Sequence, residues 1–244
     1  FNLALPAALD ILSPRATAFA LLGVQEYLRR YSGDRMASMA REELSGRLFA
    51  QYREQRTDEW RWFEDRLTYC NAILPHALIT CGRWIPNPAM LEAGLESLAW
   101  LADIQRADGE GRHFLPIGSY GFYIRGGERA RFDQQPVEAQ AMISACLEAY
   151  HNTGDGRWRR EARSAFSWFL GRNDLGLSVY DPTTGGCRDG LQSDRLNENQ
   201  GAESTIAFLH SLLEMRLDED IRDESLLPGL RDIPAVSYTH LTLP

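Results

Sequence analysis

No run of apolar residues in this 244-residue chain approaches the ~20 needed to cross a bilayer as a helix. Positive charge is not in excess either. The net charge is −8 and the sequence pI is 5.2, which argues against a nucleic-acid backbone or an anionic membrane as the main partner. Cysteine is sparse: the four residues Cys70, Cys81, Cys146 and Cys187 are scattered and form no CxxC pair, so no zinc site is expected. Three of them fall in predicted helices, where a buried free thiol is the expected state, and that fits a reducing cytoplasm. Phosphate loops are missing as well. Gly126-Gly127 and Gly185-Gly186 neither follow a strand nor open a helix, so both read as turns, and no cofactor is expected. What remains is ordinary for one sizeable globular domain, with 44% hydrophobic and 25% charged residues.

A repeat organises the chain. WRWFEDRLTYCNAILPHAL runs from Trp60 to Leu78, RARFDQQPVEAQAMISACL from Arg129 to Leu147, and RLNENQGAESTIAFLHSLL from Arg195 to Leu213. Each copy is a polar or acidic cluster followed by a helix rich in small apolar residues. Glu64, Asp133 and Glu198 align at intervals of 69 and 65 residues (133 − 64 and 198 − 133). Five residues on, Tyr69, Glu138 and Glu203 align in the same way. A period of this length predicts stacked helical hairpins, each unable to bury its apolar face alone.

Taken in order, Ser13-Pro14 opens a first inner helix that continues to about Tyr31. After the break at Ser32-Gly33-Asp34, a more polar outer helix runs from Arg35 to about Gln55. The next inner helix is expected from about Arg66 to Gly82 with a kink at Pro75, and its outer partner from Pro88 to about Ala107. Residues 108–131 read as a polar-aromatic loop with a small hairpin near Tyr120–Ile124. A third inner helix spans Pro136 to about Asn152 and its partner Arg157 to about Gly171. A second long loop reaches Gln200, and a last inner helix covers about Gly201–Met215. The count is three hairpins and one further inner helix, all in residues 1–217. An acidic, weakly ordered segment is expected over 218–235. Phe1 opens in mid-sequence, and the tail Val236–Pro244 resembles a translated sequencing adapter, so the natural sequence is expected to end near Ala235. Long loops always precede inner helices, which places the long loops and the positive ends of those helices on one face.

At these residues the chain resembles a known family. WRWFED-LTYCNAILPHAL, PIGSYGFYIRGGERARFDQQPVEA and GGCRDGL-NENQGAEST are similar to the six-hairpin-glycosidase-like domain found in bacteria beside or fused to family-4 glycosyltransferases. The likeness covers most of Leu3 to Met215. It implies an all-α fold, a partial (α/α)6 toroid of about three and a half hairpins, since the family's upstream helix pairs and their GYC-x-DDNAR-type motif lie outside this sequence. It also implies carbohydrate chemistry and a glycosyltransferase domain or protein as partner. It carries no catalytic assignment.

Glycoside hydrolysis needs two carboxyl groups flanking one bond. Glu138, Glu203, Asp133 and Glu64 are the candidate catalytic acids, because each stands at or just before an inner-helix start. Trp62, Tyr69 and Tyr123 offer rings to pack on sugar faces. Asn71, Gln134 and Asn199 offer hydroxyl-matching amides, with Asp65 and Asp189 as further hydrogen-bond acceptors. The competing reading is structural: carboxylates at helix starts cap them, and the Trp60-Trp62-Phe63 cluster packs between hairpins. His76 and His210 lie within inner helices, either facing a lumen or satisfied in the interior, while His113 reads as a surface residue. Sugar 2-epimerases share the ring and use histidines for proton transfer, though the motifs here are not theirs. The Cys/Cys/His zinc site of lanthionine-cyclase-like rings is not legible. A non-catalytic carbohydrate-binding or scaffolding domain is the alternative from a different class.

Overall fold

The computed structural model describes Phe1, residues 3–107 and residues 112–218. The acidic segment expected after Asp218 and the adapter-like tail lie outside the described residues. A short helix, α1 (Leu5–Leu9), precedes seven longer ones: α2 (Pro14–Arg30), α3 (Arg35–Gln55), α4 (Ile73–Trp84), α5 (Pro88–Ile104), α6 (Pro136–Thr153), α7 (Gly156–Phe169) and α8 (Ala202–Leu217). Among the described residues the fold is mostly helical, with two small antiparallel pairs, in which β1 (Arg66–Leu67) meets β2 (Tyr123–Ile124), and β3 (Gly190–Leu191) meets β4 (Leu196–Asn197).

Local chemistry sets the helix limits. Pro14, Pro88 and Pro136 stand at helix starts, where a missing N–H removes no bond. Asp34, Asn87 and Asp155 accept main-chain N–H groups of α3, α5 and α7 at 3.1, 3.1 and 2.8 Å. Ser13 occupies the cap position of α2 without a side-chain cap bond. Gly154 ends α6 in the left-handed conformation, φ 70°.

One expected helix start moves. The inner helix read from about Arg66 begins at Ile73. Arg66 and Leu67 are held in β1 by Ile124 and Tyr123. Behind them Asn71 accepts from Thr68 N–H and donates to Thr68 O, both at 2.9 Å, closing a side-chain turn that competes with helix. Cys70, in that turn, has φ 48°. Pro75 consequently sits in the first turn of α4 rather than near its middle, and no kink is required. Tyr123–Ile124 does form a strand, and its partner is β1, from the preceding repeat, with Arg129 as a local bridge.

The helices pack as an inner row and an outer layer. α2, α4, α6 and α8 lie side by side in that order, and α3, α5 and α7 each back onto the inner helix that precedes them. The sequence contrast follows this division. α4 is flanked by α2, α6 and α5 and is buried along nearly its whole length, whereas α3 and α7 bury one stripe and give arginines and glutamates to solvent. Two glycines let α4 and α5 approach closely: a Cβ on Gly82 would lie 2.5 Å from Leu91 N, and one on Gly94 2.8 Å from the Ile79 side chain. The four cysteines are free and buried.

Candidate functional site

The loops before α4, α6 and α8 are sewn together at one end of the inner row. β1 joins the first to the second. Gln134 and Leu191 exchange main-chain bonds of 2.9 and 2.8 Å, joining the second to the third. Glu64, Asp133 and Glu198 each stand in one of these loops, just ahead of an inner helix.

Most of the acids at this rim are engaged in holding it. Arg15, near the start of α2 and only 6% exposed, donates to Glu64 Oε2 at 2.5 Å, to Tyr69 O at 2.7 Å and to Asn71 Oδ1 at 3.1 Å. Asn71 in turn donates from its side chain to Glu138 Oε2 (3.0 Å) and from its main chain to Oε1 (3.3 Å), and Gln105 donates to Oε2 at 2.9 Å. Glu138 is 2% exposed. Burial pushes its carboxyl up to about 6, against the opposing pull of Asn71, Gln105 and Arg15. Glu198 pairs with Arg188 at 2.7 Å and Asp65 with Arg66 at 2.8 Å. Asp189 accepts from Asn199 and from Gly201 N–H, the latter at 2.8 Å, and so caps α8 from a distance in sequence. Burial acts to raise the Asp189 carboxyl, but hydrogen bonds from Ser204, Gly201 and Asn199 outweigh it and hold it low.

Several of the proposed sugar contacts lie in the packing. Trp62 is fully buried among Phe63 and Trp100, with ring centroids at 5.3 and 5.9 Å. Tyr123 packs edge-on against Trp60 at 5.3 Å. Gln134, also fully buried, donates to Arg131 O and Asp174 Oδ2 and accepts from Trp168 Nε1 at 2.8 Å. These three face protein, because an aromatic-amide loop at a repeat junction is the material that fills it. His113, read as a surface residue, is instead tied to Asp174 Oδ1 at 2.9 Å. Tyr69 is half-exposed under the Arg15 guanidinium, and Glu203 is exposed on the first turn of α8. Asp133 is half-buried with Oδ1 unpaired, and burial pushes its carboxyl up.

A second set of polar groups lies further down the inner helices. A groove of about 590 Å³ runs along the inner row, with α2, α4, α6 and α8 all contributing to its walls. Phe19 and Leu22 come from α2, His76 and Thr80 from α4, Gln140, Ser144 and Glu148 from α6, and His210 and Glu214 from α8. Gln140 Nε2 donates to Ser144 Oγ at 3.0 Å and approaches His210 Nδ1 at 3.2 Å. Ser144 Oγ donates to Glu214 Oε2 at 2.7 Å, and His210 Nδ1 lies 3.4 Å from the same oxygen. Burial pushes the His76 imidazole down to about 4. Glu148 opposes this, while His210 and Arg29 add to it. Burial pushes the Glu214 carboxyl up, against Ser144 and His210. Thr80 is 4% exposed and its Oγ1 has no hydrogen-bond partner.

The chain matches no protein-family model and no curated protein. Among the described residues no cluster of three or more His, Cys, Asp or Glu side chains is arranged to hold a metal, and no helix is long and apolar enough to cross a membrane.

The groove residues follow the repeat to within one position. His76, Ser144 and His210 are 68 and 66 residues apart (144 − 76 and 210 − 144), as are Thr80, Glu148 and Glu214 (148 − 80 and 214 − 148). Extending the alignment of the helix starts two to three turns inward pairs His76 with His210 and Thr80 with Glu214, and falls one residue past Ser144 and Glu148, on Ala145 and Ala149. His76 and His210 are legible as inner-helix residues that could face a lumen, whereas the acids that stand out in the sequence are those of the rim.

Proposed function

We propose that this chain is part of a carbohydrate-active domain, a partial (α/α)6 toroid whose sugar site is the groove along the inner helices. One observation carries the reading: a concave wall shared by four helices combines hydroxyl, amide, imidazole and carboxylate groups with an exposed aromatic, Phe19. Sugars need donors and acceptors at close spacing for their hydroxyls, and an apolar surface for their C–H faces. The resemblance to six-hairpin domains of bacterial glycosyltransferase systems points the same way. It adds the expectation of a glycoside hydrolase-like activity, or of service to a glycosyltransferase partner in the cytoplasm.

A second reading has its own support. His76 and His210 both line the groove, at the same repeat position and with Glu148 and Glu214 nearby. A pair of imidazoles lining one cavity suits proton removal and return at a carbon beside a carbonyl, the chemistry of a sugar epimerase.

Titration calorimetry with neutral mono- and oligosaccharides tests the main reading. Binding should weaken at least ~5-fold in Phe19→Ala, about 1 kcal/mol of lost stacking area. The melting temperature should hold, because Phe19 is half-exposed. No binding by any neutral or amino sugar would refute the reading. Exchange of a sugar C–H with solvent deuterium, abolished in His76→Gln, would favour the epimerase.

A further inference from the structure

The groove carries an excess of negative charge that its own walls do not neutralise. Its charged lining is Glu26, Arg29, Glu148, Glu214 and Asp218, joined by the imidazoles of His76, His151 and His210. All 26 basic side chains of the protein are arginines, and arginines account for two of these acids. Glu26 pairs with Arg29 at 3.3 Å, and Asp218 with Arg159 at 2.5 Å. Among the described residues, no arginine lies within ion-pair distance of Glu148 or Glu214. Glu148 receives Asn152 Nδ2 at 2.9 Å, while Glu214 receives the Ser144 hydroxyl and stands beside His210. Ser144 touches Glu214 and lies one turn from Glu148 on α6. That places both carboxylates on the wall of the groove where α6 meets α8. Thr80, at the matching position of α4, adds an enclosed hydroxyl without a partner. A buried hydroxyl left unpaired costs free energy that a bound polar group would recover.

We infer that the groove is built for an amine-bearing sugar, a hexosamine-type ligand whose ammonium group lies between Glu148 and Glu214 while a ligand hydroxyl meets Thr80 Oγ1. This rests on the proposed carbohydrate reading and narrows it. An ammonium ion carries three donors, and both carboxylates retain acceptor capacity after their protein bonds. A phosphorylated or acidic sugar would meet uncompensated like charge at the same wall.

Calorimetry on the whole chain at pH 6.5 and low salt, with glucosamine, glucose, glucose 6-phosphate and ethanolamine, tests the inference. Glucosamine is expected to bind at least ~10-fold more tightly than glucose, the effect of one charge-assisted contact of about 1.4 kcal/mol. Added salt should erode the difference, and glucose 6-phosphate should bind least. Glu148→Gln and, independently, Glu214→Gln should each weaken glucosamine far more than glucose and so close most of the ~10-fold difference between them. Glu148→Gln leaves intact the Glu214 carboxylate that accepts from Ser144, so a folding defect in one variant does not decide the matter. Equal affinity for glucosamine and glucose overturns the inference and leaves the carbohydrate reading standing. Ethanolamine binding as tightly as glucosamine overturns the carbohydrate reading instead, because the hydroxyls would then contribute nothing. Absence of binding by all four overturns both.

Discussion

Asn71 holds the carboxylate of Glu138 with both its side chain and its main chain, at 3.0 and 3.3 Å, across 67 residues of sequence. The same side chain accepts from Arg15 and closes the turn that delays the start of α4. Three inner helices are therefore joined at one buried point. Glu138, which in sequence looks like a catalytic acid at a helix start, is a strut between hairpins.

Glu138 should make stability depend on pH. Its carboxyl is raised from 4.5 to about 6 by burial, so the folded state binds the proton more tightly than the unfolded chain. The protein should therefore gain stability from this group as pH falls through 6 to 4.5, by up to ~2 kcal/mol, and the gain should be absent above pH 6. In Glu138→Gln this dependence disappears. Glu138→Ala, which leaves three donors without an acceptor, should cost roughly 3 kcal/mol at pH 7. Urea unfolding from pH 4.5 to 7 measures all three, and identical slopes for wild type and Glu138→Gln would exclude the assignment.

His76 should act in the opposite direction. Burial holds its imidazole at about 4 in the folded protein, below the 6.5 of an exposed histidine. The stability tied to the neutral ring is present above pH 6.5 and drains away as pH falls toward 4. His76→Gln should melt at a temperature that changes less than wild type between pH 7 and 5, by roughly several degrees. The ring carbon proton of His76 should show no titration shift above pH 5.5 in NMR.

Trp62 should matter to folding alone. Replacing this fully buried indole by alanine removes its contacts with Phe63 and Trp100 and leaves a cavity, at a cost of about 3–5 kcal/mol. Sugar affinity, measured at a temperature where the variant remains folded, should be unchanged. A large loss of affinity without loss of stability would return Trp62 to the ligand.

Asp174 should anchor the loop network. It accepts from His113, Arg131 and Gln134 at 2.8–3.0 Å and is nearly enclosed. Asp174→Ala should destabilise the protein by about 3–5 kcal/mol, since it strands polar partners gathered around a buried charge. Hydrogen exchange should accelerate first in residues 113–134. Uniform acceleration over the chain would show that the cluster is not a local clasp.

The helical architecture was legible because it rests on signals carried by neighbours in sequence. Pro14, Pro88 and Pro136 mark helix starts, Gly154 marks a stop, and the contrast between the apolar α4 and the charged α3 separates inner from outer. The repeat also put Glu64, Asp133 and Glu198 in equivalent loops. Two things needed the tertiary structure. Arg66–Leu67 is a strand only because Tyr123–Ile124, more than fifty residues away, supplies its hydrogen bonds. And whether an acid is strut or site depends on its partners. Glu64 and Glu138 are consumed by Arg15, Asn71 and Gln105, while Glu148 and Glu214, inconspicuous inside helices, pair with no arginine among the described residues. Helix propensity and capping act over a few residues and can be read along the chain. Charge compensation and burial are set by groups brought together from four helices, and only the packed fold determines which carboxylates are left facing the groove.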